Sequence, residues 1–280
     1  MASTEDKAAN KENVSSWKDS IYNPRTGELM GRTASSWALI LLFYLVFYCF
    51  LAGMFALTTW VMLLTLDDYV PRYRDRVPYP GLVIRPNLPY IAFNRSDPHK
   101  YSDYVKVMED FLEKYNDGAQ EQSEECTQGV YFEQDNTEEM TKKVCRFRRD
   151  SLNSCSGLVD TTFGFAEGKP CILLKMNRII GLKPRGDPYI NCTTKNKDAQ
   201  VPIMYYPGEG RFDKMYFPYY GKKAQENYLQ PVVAVKLMLL KEDYNKEWVV
   251  ECRVEGSDLR NNDERDKYLG RVTFRVLASE

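Results

Sequence analysis

The sequence predicts a single-pass membrane protein with one N-terminal transmembrane helix and a large extracellular β-sandwich that carries a helical insertion. Three observations lead there. No charged side chain occurs between Thr33 and Leu66. Six of the seven cysteines lie far beyond that run, from Cys126 to Cys252. The second half of the chain breaks into short β-rich segments separated by Gly, Pro, Asn and Asp turns, after a single clear helical pattern.

Residues 1–34 form a cytoplasmic tail in this reading. Lys7, Lys11, Lys18, Arg25 and Arg32 alternate there with Glu5, Asp6, Glu12, Asp19 and Glu28. That is too long and too charged for a cleaved signal peptide, so residues 35–66 read as an uncleaved signal-anchor. The run holds Trp37, Phe43, Tyr44, Phe47, Tyr48, Phe50, Phe55 and Trp60 among many aliphatics. As a helix it would be roughly 50 Å long against about 30 Å of hydrocarbon, enough to cross once with tilt. Flanking charge does not orient it: Lys18, Arg25 and Arg32 stand on one side, Arg72, Arg74, Arg76 and Arg85 on the other. Cysteine usage does. The even set Cys126, Cys145, Cys155, Cys171, Cys192 and Cys252 reads as three disulfides, which form in an oxidising compartment. The sequons at Asn94 and Asn191 agree, whereas Asn13 lies in a sequon on the cytosolic side and stays bare. The topology is therefore type II, with Cys49 left in the anchor.

Residues 67–89 carry Pro71, Pro78, Pro80, Pro86 and Pro89 and read as an extended stalk. Residues 90–280 form the ectodomain, large enough for one well-buried core. Asp97-Pro98 is an N-cap and first-turn pair. Tyr104, Val105, Met108, Phe111, Leu112 and Tyr115 follow at helical spacing, with Gly118 as the stop. That apolar stripe is expected to pack on the domain's own core. Strands are expected at Cys171–Ile180, Val201–Tyr206, Phe212–Tyr220, Val232–Leu240, Trp248–Val254 and Arg271–Leu277.

The chemistry points to binding or structure. A formal net charge of −1 gives no nucleic-acid surface. The single histidine, His99, offers almost nothing to a Ser-His-Asp or Cys-His device. The six distal cysteines are committed, so no thiolate zinc site is expected, and no phosphate-cradling loop of the G-x-x-x-x-G-K-[ST] type is present. Gly208-Glu-Gly210 reads as a turn, and Glu124-Glu125 and Glu138-Glu139 as solvated loops. No catalytic residue, cofactor or metal is expected.

Several motifs together resemble a known family. Tyr22-Asn23-Pro24 precedes Met30-Gly31-Arg32-Thr33, with Trp37 opening the anchor. Lys142-x-x-Cys145-Arg146 leads to Leu152-x-x-Cys155-Ser156-Gly157. Lys175-Met-Asn-Arg-Ile-Ile-Gly181, Tyr216-Phe-Pro-Tyr-Tyr-Gly-Lys222, Tyr228-Leu-Gln-Pro-Val-Val-Ala234 and Asp266-Lys-Tyr-Leu-Gly-Arg271 follow in order. The chain resembles, over essentially its whole length, the β subunit of the sodium/potassium-transporting ATPase. Asn177–Pro184 and Arg95–Pro98 are most like the third β isoform. The resemblance implies a non-catalytic partner of the ion-pumping α subunit, supporting its folding, its delivery to the plasma membrane and its potassium handling. It implies an immunoglobulin-like sandwich and the sequential pairs Cys126–Cys145, Cys155–Cys171 and Cys192–Cys252. Two departures stand out: Ser154, not Asn, precedes Cys155, and Cys49 stands where Gly is common.

The resemblance also places the pair Tyr44 and Tyr48 against a transmembrane helix of α; they share one helical face. Lipid-facing rings are the alternative. In the ectodomain, Tyr216, Tyr219, Tyr220, Tyr228, Gln230 and Pro231 are expected to meet α, because tyrosine is rich there and Pro231 interrupts a strand. Sandwich-core positions along the same stretch are the alternative reading. Further partners are the lipid bilayer and a small single-span FXYD-type regulatory subunit. Competing functions are the β subunit of a proton/potassium pump and a type II adhesion or lectin-like receptor.

Overall fold

The computed structural model describes residues 21–23, 27–73, 76, 79–135, 141–196 and 200–280. Most of the charged tail with Asn13, the stalk residue Pro78 and the Glu138-Glu139 pair lie outside them. The chain divides into two units, Met1–Leu66 and Asp67–Glu280.

In the first unit, β1 (Tyr22–Asn23) and β2 (Glu28–Leu29) form a short antiparallel hairpin. A left-handed turn at Met30 and Gly31 follows, and the Trp37 indole N–H donates to the Leu29 oxygen at 2.8 Å, fastening the hairpin to the helix start. Helix α1, Ala34–Leu64, runs 31 residues, with mean hydropathy 2.4 over its most apolar 18-residue stretch and no buried side chain. At 1.5 Å per residue it is about 46 Å long, sufficient to cross a bilayer. Thr58, mid-helix, returns its hydroxyl to the main-chain oxygens of Met54 and Phe55 at 3.0 and 2.9 Å, so this polar group is satisfied without a neighbour. Thr65 closes the last turn, its N–H and hydroxyl both reaching the Met62 oxygen.

The second unit holds two four-stranded sheets around one core. The first has the order β4 (Tyr90–Asn94), β10 (Arg271–Ser279), β9 (Glu247–Ser257), β6 (Gly186–Thr194). The second has the order β3 (Leu82–Arg85), β5 (Cys171–Met176), β8 (Val232–Leu237), β7 (Ile203–Tyr206). Every pairing is antiparallel except β4 with β10, where Ile91 aligns with Val276. The inner face of the first sheet alternates as a half-covered strand should: Trp248, Val250, Cys252 and Val254 on β9, and Val272, Phe274, Val276 and Ala278 on β10, are buried. β8 is buried at all six positions, and parts of the segment between β4 and β5 lie against it: the Leu237 N–H donates to the Pro170 oxygen, Lys236 pairs with Glu167 and the Tyr115 hydroxyl donates to the Gln230 oxygen just before the strand.

That covering segment contains the predicted helix in altered form. Asp97 accepts from the His99 N–H and opens a 3-10 turn at Pro98–Lys100, after which α2 spans Ser102–Leu112. Met108, Leu112 and Tyr115 are buried, and Lys106, Glu109, Asp110 and Glu113 are exposed, as the apolar stripe requires. Gly118 is not the stop: α2 ends at Leu112, and two 3-10 turns, Glu113–Tyr115 and Asp117–Gln120, carry the chain on.

Three strand expectations need correction. Phe212–Tyr220 is not a strand. The Asp213 carboxylate accepts from the Met215 N–H and starts a 3-10 turn at Lys214–Tyr216, and Pro218 then removes a ladder donor. Residues 82–85, placed in the stalk, form β3, with Leu82 and Ile84 buried; Pro80 and Pro86 bracket the strand instead of abolishing it. Pro231 does not interrupt a strand but stands directly before β8, where no ladder N–H is required. β4 and β6 were not read from the sequence at all.

Candidate subunit interface

Two regions carry the predicted contacts, one on α1 and one in the ectodomain. On α1, the Tyr44 and Tyr48 rings stack at 6.0 Å and 24°, and Phe43 and Phe47 stack beside them at 6.1 Å and 7°. Spacing of four residues places each pair one above the other on the helix. Phe47 meets Tyr48 edge to face at 5.6 Å, so the two stacks form one aromatic plate. Neither tyrosine hydroxyl makes a hydrogen bond among the described residues. Cys49 is free and exposed, near Gly53 and Ala56 in sequence along the same helix.

The ectodomain tyrosines are more internal than their density suggests. Tyr216 and Tyr219 are buried, together with Phe217, Pro218 and Pro231. The Tyr228 ring packs at a tilt of 38° against Tyr219, 4.6 Å away, and its hydroxyl donates to the Tyr216 main-chain oxygen at 2.9 Å. Burial pushes the Tyr115, Tyr216 and Tyr228 phenols far above their ordinary range. Tyr220 is half-buried: its hydroxyl accepts the Gln134 N–H at 2.7 Å and donates to the Asp135 carboxylate at 2.9 Å. That hydroxyl is the main reason the Asp135 carboxyl is held below its usual value. The exposed members of the stretch are Lys222, Lys223, Glu226 and Asn227.

Gln230 is a junction that the sequence does not reveal. Its side-chain amide donates to the Met176 oxygen at 2.6 Å and accepts from Lys175 at 3.2 Å, while its main-chain oxygen accepts from the Tyr115 hydroxyl at 2.9 Å. It therefore ties β5, the segment before β8 and the turn after α2 together. Arg149 was likewise missed. It is buried, and its guanidinium donates to the Ser156 oxygen, Asn116 and Glu109 at 2.6–2.8 Å. Its place in the basic run Arg146–Arg149 disguises it as a surface residue.

The disulfides join Cys126 to Cys145, Cys155 to Cys171 and Cys192 to Cys252, across separations of 19, 16 and 60 residues. Cys192 and Cys252 sit directly opposite one another on β6 and β9, so this bridge lies within one sheet, unlike the inter-sheet bridge of antibody domains. Of the sequons, Asn191 lies half-buried on β6 between buried Ile190 and Cys192, hence on the outer face, with its amide donating to Glu255 at 3.0 Å. Asn94 ends β4 and donates to a Glu280 oxygen at 2.6 Å. Ser154, the departure beside Cys155, has its hydroxyl buried without a partner among the described residues.

Comparison with known proteins matches this arrangement to one family. The family described as sodium/potassium ATPase beta chain aligns with residues 7–274. A protein named ATP1B4 from Xenopus laevis is 47% identical over 261 residues, covering 91% of this chain and 82% of its own. Sodium/potassium-transporting ATPase subunit beta-2 of Homo sapiens is 44% identical over 279 residues, covering 95% of each chain. The beta-2 subunit of Rhinella marina is 44% identical over 294 residues, covering 98% of each. With a match of this extent, the chain belongs to the sodium/potassium ATPase β chain family.

Proposed function

We propose that the chain is the non-catalytic β subunit of a sodium/potassium pump. It anchors in the plasma membrane with its N-terminus in the cytoplasm, assists folding and delivery of the catalytic α subunit, and adjusts potassium handling. Family membership supports the partner. The observation that carries the assembly mode is the aromatic plate on α1. Two phenol hydroxyls there have no partner among the described residues, and a hydroxyl in hydrocarbon gains from a hydrogen bond on a neighbouring helix. In the ectodomain, the reading of Tyr216–Pro231 as an α-facing segment narrows to its exposed rim. The buried tyrosines hold the rim in shape, and Lys222, Lys223, Glu226 and Asn227 face outward beside half-buried Tyr220. Glycans are proposed at Asn94 and Asn191. A small single-span FXYD-type subunit is a further proposed partner. Asn177–Pro184 and Arg95–Pro98 favour the third β isoform, and the small number of sequons beyond the anchor favours the sodium pump over the proton/potassium pump. Affinity capture of the full chain in mild detergent tests the reading. Co-purification of a multi-span ATPase is expected; capture of only single-pass adhesion partners would replace it with the receptor reading.

A further inference from the structure

Four cations gather where the outer face of the second sheet meets the end of the insertion helix. Arg85 and Lys175 are diagonal neighbours on β3 and β5, since Arg85 pairs with Leu173 and Lys175 with Val83. Their charged ends lie 5.6 and 5.5 Å from the centre of one ring, Phe111. Arg178, two residues beyond β5, stands 5.4 Å from the Tyr219 ring. Lys114 lies in the turn that follows α2. Burial, then Arg85, Arg178 and Lys114, hold the Lys175 ammonium below its ordinary value, so the other three charges all act on Lys175.

None of the four is ion-paired among the described residues, although Lys143, Lys183, Lys214, Arg149 and Arg253 all are. The chain carries 38 basic and 39 acidic side chains, so composition does not force such a cluster. The rings beneath the cations offset part of their lost hydration, but their mutual repulsion stays until an anion arrives.

We propose that Arg85, Lys114, Lys175 and Arg178 form a docking site for an acidic extracellular segment of the pump's catalytic subunit. This rests on the pump-subunit reading above. The site lies at the end where the chain enters the domain. Ile180 bridges to Tyr219, a side chain added at Gly221 would meet both Ile180 and the main chain of Tyr69, and Asp68 pairs with Lys223 at 2.6 Å. A lipid headgroup is the competing anion. Anionic lipid is concentrated in the cytoplasmic leaflet, on the far side from this domain in the type II topology, so a protein carboxylate cluster is favoured.

The test uses the full chain co-expressed with a catalytic subunit and captured at about 50 and about 500 mM salt, where screening of exposed charges differs strongly. Lys114 and Arg178 are both exposed, so they can be changed without opening the core. Lys114→Glu with Arg178→Glu is expected to lower partner recovery roughly threefold or more at low salt, while Lys114→Arg with Arg178→Lys stays within about twofold of wild type. Wild-type recovery should fall toward that of the charge-reversed variant at high salt. Arrival of the variant in the Golgi, oxidised, serves as the folding control. Equal recovery of wild type and charge-reversed variant would overturn the site. So would loss of binding to phosphatidylserine vesicles with partner recovery unchanged, which would assign the cluster to lipid. If wild type itself recovers no multi-span ATPase, the pump-subunit reading falls and the site with it; if only the variant effect is missing, that reading stands.

Discussion

The Tyr228 ring is half-buried, but its hydroxyl is buried and donates to the main-chain oxygen of Tyr216 at 2.9 Å. Replacing Tyr228 by Phe leaves that oxygen without its donor and is expected to lower stability by about 1–2 kcal/mol in denaturant unfolding. Tyr220→Phe should cost less, because Tyr220 is half-buried and water can replace it. Its signature is instead electrostatic. Asp135 titrates below its usual value chiefly because Tyr220 donates to its carboxylate. A depressed carboxyl stabilises the fold above the ordinary carboxylate range and loses that effect as pH falls through its folded-state value. The stability gap between wild type and Tyr220→Phe should therefore shrink on acidification. A gap that widens in acid would contradict this account. Aromatic density between 216 and 228 was legible in the sequence, but its inward direction was not. The groups that meet the Tyr216 and Tyr220 hydroxyls come from residues 134, 135 and 146, far away in the chain.

At the scale of elements, α1 and the disulfides give the clearest expectations. An intramembrane polar contact contributes about 0.6–2 kcal/mol, so Tyr44→Ala with Tyr48→Ala should weaken partner recovery without abolishing it. Unchanged recovery and unchanged potassium affinity would count against the aromatic plate as a contact. The Cys192–Cys252 bridge closes a loop of separation 60 and restricts the unfolded chain by about 4 kcal/mol, against roughly 3 for the two shorter loops. Paired replacement of Cys192 and Cys252 by Ala should hold the chain in the endoplasmic reticulum; secretion-competent, protease-resistant protein would sink this ranking. The run that makes α1 was legible because nothing charged interrupts it. Asp97-Pro98 marks the 3-10 turn that leads into α2, not the start of α2 at Ser102, and the end of α2 was not legible either, because the stripe Met108–Leu112–Tyr115 continues through a change from α to 3-10 geometry. β6 was hidden because it opens with Gly186, Asp187 and Pro188, residue types that favour turns, in a strand with a register shift between Gly186 and Tyr189.

For the whole molecule, the division into an apolar anchor and a disulfide-stapled sandwich was legible from charge and cysteine placement alone. The sheet order was not, since it depends on a parallel pairing between residues 90–94 and 275–279 that no local pattern announces. β10 is last among the strands in chain order but sits second in its sheet, between β4 and β9. Val276→Asp there would bury an unpaired carboxylate in the core and should block maturation, whereas Thr273→Asp, on the exposed face, should mature nearly normally. The position of β10 also has a consequence in time. A type II chain enters the lumen from its anchor outward, so β4 emerges early, and the partner that flanks it is made only after some 180 further residues. Until then β4 has an empty edge and β9 lacks one neighbour. The first sheet can close only once residues 271–279 have been made, which leaves the β4 edge open to lumenal chaperones until then.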